Sequence, residues 1–267
     1  MKRTRGDSDL SFLDRPEILG VIFYPRKSYY LKSSKPNATN HFVEVDEGVK
    51  IGCRFYVKGL DCPSLLYFHG NGEIVDDYDW SAPVYNDIGV NLFVADYRGY
   101  GFSEGKPTIS NMIKDAHPIF KQFAKIVEEY GSRNSLFVMG RSLGSIPAIE
   151  VVYHHQSEVR GLIVESGSAN NFRYFLGASP LYNNPIWSDD SEFLNKVKLR
   201  SISKPTLIIH AEHDTLVPLD EGKELHNNSA SKDKKFLMIP NAVHNDLMIV
   251  GKELYFKAIK KFVETHG

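Results

Sequence analysis

Apolar and polar positions alternate along this chain in blocks that change period. Short apolar runs of strand length recur at Leu65–His69, Asn91–Ala95, Leu136–Met139, Val159–Glu165, Pro205–His210 and Lys235–Ile239. They are continuous rather than alternating, the pattern of strands buried on both faces. Between them lie longer stretches of helical spacing, at Asp79–Asp87, from the loop after Ser103 through Tyr130, at Ser145–His155 and at Leu247–Thr265. Pro118 falls inside the second of these and predicts a kink or a shifted start. His41–Val45 and Val49–Lys58 read as an antiparallel start, and Ile18–Tyr24 as an early strand or extended arm. Repeated β-α alternation predicts an α/β fold with a mostly parallel sheet covered on both faces. The boundaries read as an N-terminal arm over residues 1–40 and a single domain over 41–267, with an irregular insertion over 166–199. Neither internal repeats nor low-complexity tracts interrupt the pattern.

The chemistry concentrates where these runs end. Gly140-Arg141-Ser142-Leu143-Gly144 follows one strand and opens a helix. A serine in G-x-S-x-G sits on a sharp strand-to-helix turn that exposes its hydroxyl. The five residues alone also fit an ordinary glycine-rich turn, so the context decides. Asp214 follows the strand that ends at His210, and His244 follows the strand that ends at Ile239. A serine hydroxyl needs a base to take its proton, and the histidine needs a carboxylate to fix its tautomer. Ser142, Asp214 and His244 therefore form a candidate catalytic triad, in the chain order serine, acid, histidine. Glu165 also ends a strand and is the competing acid. His69-Gly70-Asn71-Gly72 ends another strand. The backbone N–H groups of Asn71 and Leu143 are the candidate oxyanion donors, and His69 reads as a loop-packing residue.

Phe68–Gly72, Asp96–Ser103, Gly140–Ser145, Glu212–Asp214 and His244–Asp246 together resemble the α/β-hydrolase superfamily. Within it, the chain is similar to the small esterase, thioesterase and lysophospholipase-like branch that includes depalmitoylase-like hydrolases. The resemblance covers about residues 40–265. It implies an eight-stranded, mostly parallel sheet with a short cap, and a serine hydrolase that cleaves carboxylic esters or thioesters through an acyl-enzyme. The cap would be the tract 166–199, which holds Phe172, Tyr174, Phe175, Leu181 and Trp187. These side chains are candidates for an apolar wall around an acyl chain; packing of the cap onto the sheet is the equal alternative. The same acyl-enzyme would serve an acyltransferase or a peptidase. A non-catalytic binding protein on a hydrolase scaffold is the reading from another class, disfavoured because all three triad residues are present.

Composition changes this picture little. The chain has 267 residues, 42% hydrophobic and 24% charged, with a formal net charge of −1. That balance gives no electrostatic reason for nucleic-acid or anionic-lipid binding. The charged start at Met1–Asp7 lacks the apolar core of a secretory leader, and no apolar run approaches the roughly 18 residues of a membrane span. The expectation is a cytoplasmic enzyme of unknown oligomeric state whose partner is a small acyl ester or thioester. Cys53 and Cys62 flank a hairpin and read as free thiols, although the spacing leaves a disulfide open. His210, Glu212, His213 and Asp214 form a cluster that suits a metal by donor type, but a third convergent histidine is missing, so no metal is expected. No cofactor is expected either: Arg98–Ser103 follows a strand but lacks the endings of phosphate-binding loops. The resemblance instead places it beneath the active site. His154, His155 and His226 read as surface residues on helices.

Overall fold

The computed structural model describes residues 10–28, 33, 35–131, 135–176 and 183–267. In chain order its elements are α1 (Pro16–Ile22), β1 (Ala38–Asp46), β2 (Val49–Tyr56), β3 (Ser64–Phe68), α2 (Ala82–Asp87), β4 (Asn91–Ala95), α3 (Ile109–Glu129), β5 (Leu136–Arg141), α4 (Ser145–His154), β6 (Gly161–Glu165), α5 (Asn195–Leu199), β7 (Thr206–Ala211), α6 (Leu219–Asn228), β8 (Lys234–Ile239), α7 (Leu247–Val250) and α8 (Lys252–His266). Among these residues the strands form one eight-stranded sheet in the order β1-β2-β4-β3-β5-β6-β7-β8. β1 pairs antiparallel with β2, and β2 with β4. From β4 to β8 every pairing is parallel, so the sheet is of the α/β class the alternation implies.

Successive residues of the central strands feed opposite faces, because the side-chain period of a strand is two. Leu66, Phe68, Val138, Leu162, Val164 and Ile208 join one core with α1, α3, α4 and the cap. Leu65, Tyr67, Phe137, Met139, Ile163 and Leu207 join the other, with α2 and α8. Two layers of helices thus leave these central strands dry on both sides. The registers Phe68↔Gly140, Arg141↔Glu165 and Ala211↔Ile239 bring the carboxyl ends of β3, β5, β6, β7 and β8 to one edge. In open parallel sheets that edge is where ligands bind.

Four local expectations are corrected. Residues 18–24 begin as a helix rather than a strand. Pro16 occupies its first turn, where a fixed φ and a missing N–H cost nothing, and Ile18 and Ile22 one turn apart bury one face. Only Phe23 onward is extended. The helix expected over 79–87 is α2, which keeps the expected end but starts at Ala82, behind a 3-10 turn at Val75–Asp79. α3 runs through Pro118 unbroken, starting at a Thr108 cap whose Oγ1 accepts the Asn111 N–H at 3.0 Å. The carbonyl that Pro118 leaves without an N–H belongs to Lys114, which is exposed, so the lost bond does not leave a buried polar group unpaired. The last helix divides into α7 and α8 at Gly251, whose Cβ, if present, would stand 2.4 Å from the Ile239 side chain. Cys53 and Cys62 are both free. Among the described residues no helix is long and apolar enough to cross a membrane.

Candidate active site

Ser142 has φ 53°, a left-handed conformation that β5 and the following turn force on it. The turn is that tight because α4 packs directly behind the strand. A Cβ on Gly140 would meet the Gly144 carbonyl oxygen at 2.2 Å, and a Cβ on Gly144 would meet the Phe68 carbonyl oxygen at 2.1 Å. Both contacts are to backbone, which cannot swing aside, so glycine is required on each side of the serine. The result lifts Ser142 Oγ to the carboxyl edge of the sheet.

Two loops converge on it. His244 Nε2 lies 3.0 Å from Ser142 Oγ, and His244 Nδ1 lies 2.7 Å from Asp214 Oδ2. Asp214 Oδ1 accepts the N–H groups of Leu216 and Val217 at 3.0 and 2.8 Å. The carboxylate is thereby committed, one oxygen to the loop and the other to the imidazole. Burial alone would raise its pKa; the hydrogen bond to His244 and that ring's charge, together with the Val217 N–H, outweigh burial and hold it below the usual carboxylate range. Behind it His210 is fully buried, and burial lowers its pKa. The neutral ring donates from Nε2 to the Val217 carbonyl at 2.9 Å. His213, by contrast, is largely exposed, so the His210–Asp214 stretch does not converge as a set of metal ligands.

Glu165 is not in this relay. Its Oε1 accepts from Arg141 Nε at 3.1 Å, and its Oε2 accepts the hydroxyls of Tyr255 and Tyr67 at 2.6 and 3.2 Å. Arg141 continues outward to Glu73, donates to the His244 carbonyl at 2.8 Å and to Asn245 Oδ1 at 2.9 Å. Burial works against the Arg141 charge, but the Glu73 and Glu165 carboxylates push its pKa up.

Asn71 and Leu143 both line the cleft beside Ser142. Leu143 is the second residue of a 3-10 turn, where an N–H precedes any partner inside the turn. The Asn71 side chain fixes its own loop. Its Nδ2 donates to the Ile22 carbonyl at 2.6 Å, and its Oδ1 accepts from Tyr100 Oη at 2.7 Å and from the Tyr24 N–H at 3.0 Å. Tyr100 reaches it from the glycine-rich loop, in which a Cβ on Gly101 would fall 1.9 Å from Asp96 Oδ2. His69 is fully buried against Tyr97, with Nδ1 bonded to the Gly70 carbonyl at 2.7 Å and Nε2 3.2 Å from Asp96. That is the packing role its position suggests.

The cleft at Ser142 has a volume of about 360 Å³, and its walls are mainly apolar. Phe172 and Phe175 of the cap line it, joined by Leu216 and Val217 from the loop after Asp214. Trp187 does not. It is fully buried and packs edge-on against Phe172 and Phe193, so the substrate-contact expectation is corrected to a core role beneath the wall. Leu181 and the side chain of Tyr174 lie outside the described residues. The opposite wall comes from Val21, Ile22 and Tyr24. Sequence reasoning missed it, and the only local signal was the apolar run Val21-Ile22-Phe23-Tyr24 ahead of Pro25.

A parallel sheet with a strained serine at its central strand, a histidine and an acid at the next strand ends, is the architecture of the α/β-hydrolases, and the chain belongs to that family. Residues 62–181 match the family model described as serine aminopeptidase, S33. The chain is 31% identical to the lysophosphatidylserine lipase ABHD12 of Bos taurus over 278 residues, covering 87% of this chain and 68% of that protein. It is 31% identical to the Rattus norvegicus protein of the same name over 214 residues, covering 72% of this chain and 52% of that one. The chain thus spans about half the length of some of the curated relatives it matches. Among solved structures, the Pyrococcus furiosus esterase Pf2001 superposes with a TM-score of 0.72 at 18% identity, over 92% of this chain and 99% of that one.

Proposed function

We propose that this protein is a serine esterase acting on single-chain acyl esters, with lysophospholipid as the substrate class. The observation that carries the reading is the unbroken hydrogen-bonded line from Asp214 through His244 to Ser142 at the floor of an apolar cleft. In this reading His244 takes the Ser142 proton as Oγ attacks the ester carbonyl. Asp214 holds Nδ1–H toward itself and stabilises the imidazolium. The N–H groups of Asn71 and Leu143 receive the oxyanion, and each such donor is worth about 3–4 kcal/mol of barrier. His244 then protonates the leaving alcohol and activates the water that frees the acid.

Two features favour an ester over a peptide N-terminus. Among the described residues the cleft lining contains no carboxylate to pair with an α-ammonium group, and aliphatic and aromatic side chains make up most of its wall. The relatives named as lysophosphatidylserine lipases support a single acyl chain with a polar head. The test is hydrolysis of p-nitrophenyl esters from acetate to palmitate and of a lysophospholipid, wild type beside Ser142→Ala. Turnover that depends on Ser142 and peaks at medium or long chains is expected. Cleavage confined to acyl thioesters, or to aminoacyl substrates, would replace the ester assignment.

A further inference from the structure

Away from the cleft, the far end of α4 meets α3 through a cluster that ester hydrolysis does not use. His117 on α3 and Glu150 and His154 on α4 bring one ligand atom each to within 4.8 Å of one another. His154 Nε2 lies 3.1 Å from Glu150 Oε1, and His117 Nε2 lies 3.5 Å from that same oxygen. The longer separation is poor for a hydrogen bond. Both match the edge of a tetrahedron of ligands: bonds of about 2.0–2.1 Å to zinc place neighbouring donors about 3.3–3.4 Å apart.

The surroundings are arranged as a metal requires. His117 Nδ1 lies 3.1 Å from His155 Nε2, and His155 Nδ1 lies 3.1 Å from Glu158 Oε1. If each ring carries its proton on Nδ1, one donates to the next and the last to the carboxylate, which leaves His117 Nε2 with a free lone pair. Histidines that bind metals are held by such outer partners. On the other side, Lys198 Nζ pairs with Glu150 Oε2 and leaves Oε1 turned toward the two rings. The Glu150 side chain is only 8% exposed, so its charge is scarcely screened by water. Lys198 lies on the far side of that carboxylate from the rings, so the ion pair leaves Oε1 available to a cation. His154 is half exposed, which leaves an open path to the cluster from solvent.

We propose that His117, Glu150 and His154 form a binding site for a divalent transition-metal cation of the zinc type, with His155 and Glu158 as outer partners. Such an ion would clamp α4, the helix that begins directly behind Ser142, to α3. It takes no part in the acyl chemistry.

The test is calorimetric titration of ZnCl₂ into the chelator-treated full chain. One equivalent is expected to bind. His117→Ala and His154→Ala should each weaken binding at least 10-fold, and His155→Gln about 10-fold through the lost outer bond. His213→Ala should change nothing. Both ligand rings are at least partly exposed, so the variants keep the fold, and circular dichroism checks it. Glu150→Gln, which keeps the shape and can still meet Lys198, is the third ligand variant and should also lose binding. Co²⁺ should give the visible bands of a four-coordinate ion in wild type and none in His117→Ala, and Zn²⁺ should raise the melting temperature of wild type alone. Absence of binding at millimolar zinc, or binding unchanged in a His117→Ala/His154→Ala double variant, would overturn the site.

Discussion

Asp214→Asn isolates the tautomer of His244, and the structure fixes what the substitution does. The N–H groups of Leu216 and Val217 point at Asp214 Oδ1 from 3.0 and 2.8 Å. An asparagine there must turn its carbonyl oxygen toward those two donors. Its NH₂ then faces His244 Nδ1 across the 2.7 Å gap now held by Oδ2. Two donors cannot share that contact, so Nδ1 gives up its proton and Nε2 carries it instead. Nε2–H faces Ser142 Oγ and can no longer accept the serine proton. The expected loss in kcat is about 10⁴, close to 5.5 kcal/mol. The melting temperature should change little, because the two loop hydrogen bonds persist. The assay is saturation kinetics on p-nitrophenyl butyrate with a melting curve of the same preparation. A loss below about 10-fold in folded protein would refute the relay. So would a greater loss per folded molecule in Glu165→Gln, because that side chain is committed to Arg141, Tyr67 and Tyr255.

The cap should separate into wall and core. Phe175→Ala, at a half-exposed position on the cleft, is expected to raise KM for long acyl esters and leave acetate turnover unchanged. Trp187→Ala is expected to cost about 3–5 kcal/mol of stability, read from urea midpoints, with the chain-length preference kept. Gly144→Ala should cost about 3 kcal/mol or more and reduce soluble yield, because the new methyl meets the Phe68 carbonyl oxygen at 2.1 Å. Glu150 has its folded pKa lowered to about 2, so it stabilises the fold above the ordinary carboxylate value and loses that contribution as pH falls from about 4.5 toward 2. Urea midpoints followed from about pH 5 down to pH 2.5 should therefore fall less in Glu150→Gln than in wild type; parallel curves would contradict this.

The sheet was legible because a strand buried on both faces must be apolar throughout, and Leu65–Phe68 and Ile208–Ile209 leave no other reading. Strand ends were legible because the apolar run gives way there to polar and glycine residues, as at His69-Gly70, Arg141-Ser142 and Glu212-His213-Asp214, and the chemistry begins there. Residues whose role depends on a neighbour distant in sequence were not. Val21 and Tyr24 reach the cleft only because Asn71 grips the Ile22 carbonyl and the Tyr24 N–H, contacts 47 and 49 residues apart. Trp187 and Phe175 look alike in sequence, and only the placement of Phe172 between core and cleft tells them apart. Pro16 was the readable sign of α1, overridden by the β-branched and aromatic residues that follow it.

Glu165 shows why an acid at a strand end need not be the acid of the relay. β6 lies between β5, which leads to Ser142, and β7, which leads to Asp214, with Arg141 paired across to Glu165. From that position the Glu165 carboxylate cannot serve His244, but it can hold Arg141, which also binds Glu73 and the His244 carbonyl. A buried ion pair of this kind adds little net stability, because desolvation offsets the attraction. What it does supply is geometry. A planar guanidinium with five fixed donors ties β5, β6, the loop after β3 and the loop after β8 to one another. Ser142 directly follows Arg141, the last residue of β5, and His244 is held by its own carbonyl. Ser142 and His244 are therefore referenced to the same side chain, so the 3.0 Å approach of Nε2 to Oγ is fixed from behind both residues.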